Sequence, residues 1–155
     1  MISNLNQQDL CQLLPHSGKM CLIDKVIFWD KDTLVAQTMS HIKADNPLRQ
    51  GDKISTIIGI EYAAQTMAIH SALLQKQLQK NDNIQQQINR GGYLATTRNI
   101  QVLAEHIYHS KASSSQPLEI SVMLLMKDTQ GYTYNFEISS DNAKLLCGRL
   151  TIFLI

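Results

Sequence analysis

The stretch Ile57 to Leu74 constrains the fold more than any other part of the chain. It carries Ile57, Ile58, Ile60, Ala63, Ala64, Met67, Ala68, Ile69, Ala72 and Leu73. On a 3.6-residue period these positions run nearly all the way round a helix, as in a helix buried on most faces. The spacing predicts one long helix from Ile54 to Gln79, with Ser55 or Thr56 placed to cap its start. After Leu74 the residues turn polar (Gln75, Lys76, Gln77, Gln79, Lys80), so that end reaches water. Glu61, Gln65 and His70 interrupt the apolar run, which excludes a membrane span. A helix with so little polar surface needs cover on several sides. An antiparallel sheet wrapped round it is expected to supply most of that cover, and a second copy of the chain the rest.

The flanking segments read as that sheet. Met20 to Trp29 and Thr33 to Met39, joined by the turn Asp30-Lys31-Asp32, predict a hairpin. Leu118, Ile120, Val122, Leu124 and Met126 alternate with polar residues, as do Tyr132, Tyr134, Phe136 and Ile138. Period-two alternation marks half-buried antiparallel strands, with Asp128 to Gly131 as the turn between them. Gly92 to Ala104 and Leu145 to Leu154 complete about four strands after the helix. Gln7 to Leu14 predicts a short helix ended by Pro15, and His41 to Lys53 a surface loop. Asn81 to Asn89 reads as a mobile linker, Arg90-Gly91-Gly92 as a turn and Ser113-Ser114-Ser115 as a loop.

Composition narrows the function. The chain has 155 residues, 44% hydrophobic and 17% charged, which suits one globular domain over 1–155. Fourteen Lys and Arg against thirteen Asp and Glu leave a net charge of +1, which argues against a nucleic-acid binder. Aromatics at 6% argue against a base-stacking platform. Cys11, Cys21 and Cys147 have no metal-ligand spacing and are expected as reduced, small core hydrophobes. The polar start, Met1 to Leu10, lacks the apolar run of a signal peptide, so a cytoplasmic location is expected.

Glu61 is the residue that does not fit its helix. Its same-face neighbours are Ile57, Ile58, Ala64 and Gln65. A carboxylate desolvated among them would have a raised pKa, the tuning a general acid or base requires. Alternatively it lies on a narrow solvent stripe or pairs with an arginine such as Arg98. Gln65, one turn on, can hold it. His16 and His41 read as solvated loop histidines. His70 falls on the opposite face from Glu61 and reads as structural. His106 and His109 read as loop histidines, with no metal implied.

Leu14-Pro15-His16-Ser17-Gly18-Lys19-Met20-Cys21-Leu22-Ile23-Asp24-Lys25-Val26 resembles the N-terminal motif of hotdog-fold 3-hydroxyacyl-[acyl-carrier-protein] dehydratases. Gly59-Ile60-Glu61-Tyr62-Ala63-Ala64-Gln65-Thr66-Met67-Ala68 resembles their central helix, and Gly92-Tyr93-Leu94-Ala95 and Gly148-Arg149-Leu150 also fit. The likeness is strongest to the branch associated with aryl-polyene-type biosynthesis. It implies an α+β hotdog fold, with an antiparallel sheet wrapped round one long central helix. It implies a lyase of fatty-acid or polyene-type lipid synthesis that dehydrates a 3-hydroxyacyl thioester to the trans-2-enoyl thioester. The substrate would ride on the phosphopantetheine of an acyl-carrier protein, with no other cofactor.

It also implies a homodimer, or pairing with another hotdog subunit, with sites built from both chains. Better-known members carry a His-Phe-Pro-Gly loop before the helix. Here Asn46-Pro47-Leu48-Arg49-Gln50-Gly51-Asp52-Lys53 has no histidine, which makes His16 the first candidate base and His41 the second. Glu61 is the partner acid, and Gln65 orients it. Backbone N–H groups from Ile57 to Gly59 would meet the thioester oxygen, and Arg49, Lys53 or Arg98 the phosphopantetheine phosphate or the carrier. The same fold also serves acyl thioesterases and non-catalytic acyl-binding subunits, which are the alternatives.

Overall fold

A computed structural model describes residues 5–82, 92–112 and 115–154. The readings of 83–89 as a linker, of Arg90-Gly91 as a turn and of Ser113-Ser114 as a loop lie outside the described residues.

Six strands form one antiparallel sheet: β1 (Lys25–Trp29), β2 (Thr33–Thr38), β4 (Gly92–Val102), β6 (Leu118–Lys127), β7 (Gly131–Ser140) and β8 (Ala143–Leu154). Their order across the sheet is β1-β2-β6-β7-β8-β4. The long helix α2 (Gly59–Asp82) packs on β2, β6, β7 and β8, so the sheet wraps it as expected. The alternation read between Leu118 and Ile138 holds in β7, where Tyr132, Tyr134, Phe136 and Ile138 are buried, and in β6 as far as Leu118, Ile120 and Val122; Leu124 is only half-buried and Met126 is exposed. Each buried Leu, Ile, Val or Phe side chain among these contributes roughly 1.5–3 kcal/mol by leaving water. Register shifts in the β1–β2, β6–β7, β7–β8 and β4–β8 ladders provide the extra twist that curls a sheet round a helix.

Side chains close the turns. Asp30 Oδ1 accepts from the N–H groups of Asp32 and Thr33, and Asp128 Oδ1 from those of Gln130 and Gly131. Gly131 is required where the strands close up, because a Cβ there would lie 2.1 Å from the Ile152 carbonyl oxygen.

Three readings are corrected. The long helix does not begin at Ile54. Lys53–Ser55 forms strand β3, paired with β5 (His106–His109), and a 3-10 turn over Thr56–Ile58 leads into α2. Neither Ser55 nor Thr56 supplies a side-chain cap, since the Thr56 N–H is spent on the Glu105 carbonyl and its hydroxyl is buried without a partner. His106 and His109 therefore sit on a strand, not a loop. As expected, the sheet supplies most of the cover of α2: Tyr62, Ala63, Met67, Ile69 and His70 are all fully buried. Its half-exposed face is narrow, made of Ile60, Glu61, Ala64, Ala68, Ser71, Ala72 and Gln75.

Candidate active site

The residues before β1 fold back along α2. Helix α1 (Gln7–Gln12) is closed at its start by a capping box between Asn6 and Asp9, and Leu10 anchors it in the core. The chain then turns through Pro15-His16-Ser17-Gly18, where Gly18 takes φ +59°, and returns through a 3-10 turn over Gly18–Met20. Folding back brings Cys11 and Cys21 to a Cα–Cα distance of 5.5 Å, and the two form a disulfide. This corrects the expectation of three reduced cysteines; Cys147 alone is free. Both Sγ atoms lie against the His16 carbonyl, at 3.8 and 3.6 Å.

That turn carries His16 onto Glu61. His16 Nε2 lies 3.0 Å from Glu61 Oε1, with the side chains 33% and 31% exposed. The carboxylate is thus neither sealed in an apolar pocket nor paired with Arg98. It stands at the edge of the helix, with imidazole on one side and carboxamide on the other. His16 Nδ1 is buried without a hydrogen-bond partner. Both members of this pair belong to the same chain.

Gln65 explains why. Its Nε2 donates to Glu61 Oε1 at 2.9 Å and to the Met20 carbonyl at 2.7 Å, and its Oε1 accepts from the Leu22 N–H at 2.9 Å. One fully buried side chain therefore fixes the carboxylate and staples the returning His16 segment to the same helix. From the other side, the Thr38 and Ser40 hydroxyls both meet the Leu22 carbonyl. Ser40 also reaches the Tyr62 hydroxyl at 3.1 Å, and Asn46 Nδ2 donates to that hydroxyl at 3.0 Å. The pairing of Gln65 with Glu61 was legible from their i, i+4 spacing. Its bonds to Met20 and Leu22, and the Thr38–Ser40 contacts, span separations no local pattern announces.

The pair opens into a cleft of about 330 Å³ that runs along the half-exposed face of α2. Pro15, His16, Glu61 and Gln65 line one part, and Ser71, Gln75 and Tyr132 another.

The other candidates lie elsewhere. His41 is 1% exposed and packs edge-on to Tyr108, and burial pushes its imidazole down to about 4. It does not line the cleft. Gly59 packs into the core, where a Cβ would meet Leu146 and Ile138 at 3.0 and 3.1 Å, and its N–H points at the Thr56 and Ile57 carbonyls. That N–H is therefore not offered to a thioester oxygen. Arg49 is a structural residue: its guanidinium lies 4.5 Å from the Tyr108 ring centroid and donates to the Ile42 carbonyl. Lys53 and Arg98 are exposed on β3 and β4, away from the cleft lining. His70 is structural as read, joining the Tyr134 hydroxyl at 2.9 Å and the Asp30 carbonyl at 2.8 Å.

A family model described as ApeP dehydratase, of the ApeP-like group, matches residues 8–154. Among solved structures, the chain is similar to the dehydratase heterocomplex ApeI:P from Xenorhabdus doucetiae, at 21% identity and a TM-score of 0.79, covering 99% of this chain and 93% of that one. It is also similar to a mutant thioesterase from Pseudomonas aeruginosa, at 12% identity and 0.63, covering 99% and 96%. A thioesterase from Haemophilus influenzae follows at 11% and 0.61, covering 99% and 92%. At these identities the likenesses show the shared hotdog fold. No curated protein sequence matches the chain significantly. Among the described residues, no helix is long and apolar enough to cross a membrane.

Proposed function

The chain belongs to the ApeP-like dehydratase family, and on that premise we propose that it removes water from a 3-hydroxyacyl thioester held on the phosphopantetheine arm of an acyl-carrier protein. The observation that carries the assignment of roles is the 3.0 Å contact between His16 and Glu61 at the cleft. Dehydration breaks a Cα–H bond and a Cβ–O bond and forms the Cα=Cβ double bond. His16, neutral, takes the α-proton at Nε2. Glu61, protonated, gives its proton to the departing hydroxyl, which leaves as water. The pair is then imidazolium beside carboxylate. Because the two atoms touch, the proton passes back from His16 to Glu61 and the starting state returns. General acid–base catalysis of this kind contributes roughly 10²–10⁴-fold. Gln65 positions the carboxylate through its Nε2 and the imidazole through the Met20 and Leu22 backbone.

Pairing with a second hotdog subunit is part of the same proposal. Strand β4 is a sheet edge of 11 residues, with Tyr93, Leu94 and Val102 exposed on it. Long apolar edges are templates for further pairing. The similar ApeI:P structure is itself a heterocomplex.

The test presents the purified chain, alone and with a second hotdog subunit, with 3-hydroxyacyl-carrier protein and with its coenzyme A counterpart. Mass spectrometry follows loss of water and a thiol reagent follows hydrolysis. Water loss without thiol release supports the proposal, with carrier protein preferred. Thiol release without water loss overturns it in favour of a thioesterase.

A further inference from the structure

The half-exposed face of α2 has an unusual sequence for a surface stripe. Glu61 stands at one end and Gln75 at the other, fourteen residues later, a rise of roughly 21 Å. Between them the face carries only small side chains: Ala64, Ala68, Ser71 and Ala72. These positions recur at three- and four-residue spacing and form the floor of the cleft that starts at the catalytic pair. Small residues leave the volume open. Anything larger at Ala68 would project into it midway.

Towards the far end a hydrogen bond bridges helix and sheet. Gln75 Nε2 donates to the Tyr132 hydroxyl at 3.2 Å, across from the helix to the first residues of β7. Tyr132 is 4% exposed and its ring is held in place, with Lys127 Nζ 5.5 Å from its centroid and the tilted Tyr134 ring 6.4 Å away. Beyond Gln75 the helix surface is open to water. A rigid ring and a carboxamide hydrogen-bonded to each other make a wall from helix to sheet across the cleft.

We infer that the Gln75–Tyr132 pair is the end wall of the acyl pocket and sets the longest chain the enzyme accepts. The inference rests on the proposed function for the identity of the occupant, an acyl chain whose thioester lies at His16 and Glu61. A chain that stops short of the wall leaves apolar lining in water. One that exceeds it must break the Gln75–Tyr132 hydrogen bond and desolvate both groups without replacing it. One methylene more or less in such a pocket changes selection roughly 10- to 200-fold.

The test measures affinity for a series of saturated acyl-pantetheine amides of increasing length, which the enzyme can neither dehydrate nor hydrolyse. Wild type is expected to show an optimum length. Ala68→Phe is expected to move that optimum to shorter chains, and Gln75→Ala to longer ones, with long-to-short affinity ratios changing roughly tenfold or more. Tyr132→Phe, which removes the hydroxyl but keeps the ring, is expected to shift the profile less than Gln75→Ala. Circular dichroism checks that each variant is folded. The same length profile in wild type, Ala68→Phe and Gln75→Ala would overturn the end wall, as would the absence of any length dependence in wild type. Failure of the proposed function shows differently: the length optimum and its shifts persist, yet the matching 3-hydroxyacyl thioester loses no water.

Discussion

Two short stretches of this chain, residues 13–22 and 39–53, look alike in the sequence and end in opposite roles. Each is irregular, each contains a proline, a glycine and a histidine, and each connects into the sheet or α2. The first lays His16 against Glu61 at the cleft, one-third exposed. The second tucks His41 beneath Tyr108 with its Nδ1 unpartnered. The difference lies in what holds the backbone. Residues 20–22 are gripped by Gln65 from the helix that bears the carboxylate, which aims the preceding turn at the cleft. Residues 40–46 turn about Asn46, whose side chain accepts from the Leu48 N–H and donates to the Ser40 carbonyl. That closes the turn on itself and points His41 inward. The contrast teaches that a histidine's chemistry is decided by the anchor of its neighbours. A proton-transfer group must keep one side in the cleft, and only His16 does.

The comparison breaks most sharply at the pair itself. His16→Ala and Glu61→Gln are each expected to lower the dehydration rate by roughly 10²–10⁴-fold while melting near wild type, because both side chains are at the cleft edge and not in the core. Combining them should cost little more than either alone, since the proposed mechanism uses the two as one proton relay. Steady-state kinetics on 3-hydroxyacyl-carrier protein with thermal melts of the three variants would check this. A His16→Ala enzyme of near-normal rate would hand the role of base to another group.

The clamp comes next. Gln65→Met keeps the volume but removes every polar contact of that side chain. A hydrogen bond to the Glu61 carboxylate, charged once its proton has gone to the departing hydroxyl, contributes about 1.5–3 kcal/mol, so kcat should fall by roughly tenfold to a hundredfold, with KM moved less. The Met20 carbonyl and Leu22 N–H would also lose their partner in a buried place, so Tm should fall as well. If Gln65→Met lowered Tm but left kcat and its pH profile unchanged, the residue would be packing alone and the aim of His16 would come from elsewhere.

Much of this was legible in the residues. Period-two alternation gave β6 and β7, and the apolar run gave α2, because each of these elements buries one face over several successive turns or residue pairs. Strands β3 and β5 were not legible: at three and four residues they are too short for a period to show. The start of α2 was misread for a related reason. Ser55 and Thr56 have the residue types of a cap, but the chain arrives as a strand, and a backbone bond from Thr56 to Glu105 takes the place of a cap. Glu61 was found by its misfit among apolar neighbours, although its surroundings proved half-open. Gln75 read as the first polar residue of an exposed tail. Its role depends on Tyr132, 57 residues away, and on nothing beside it. The disulfide escaped notice because Cys11 and Cys21 are brought together by the fold-back at Pro15 to Gly18, a tertiary event.

The smallest expected effect tests the other half of the comparison. Burial lowers the His41 pKa from 6.5 to about 4, chiefly by desolvating the charged form, with a backbone hydrogen bond at Gln116 and the Asp24 charge opposing it. Between those values the unfolded chain binds a proton that the folded chain refuses. Stability is therefore full above pH 6.5, falls as the pH drops, and stops falling on this account below about 4. From pH 7 to 5 the loss from this one group is about 2 kcal/mol. His70 is also lowered by burial and adds to the same acid sensitivity. His41→Phe, which keeps a ring against Tyr108 but cannot titrate, should make the stability difference between pH 7 and pH 5 smaller by about that amount in urea unfolding. Its dehydration rate at pH 7 should match wild type, because His41 reaches no part of the cleft. A normal acid slope joined to a collapsed rate would reverse the two histidines and overturn the assignment of His16 as base.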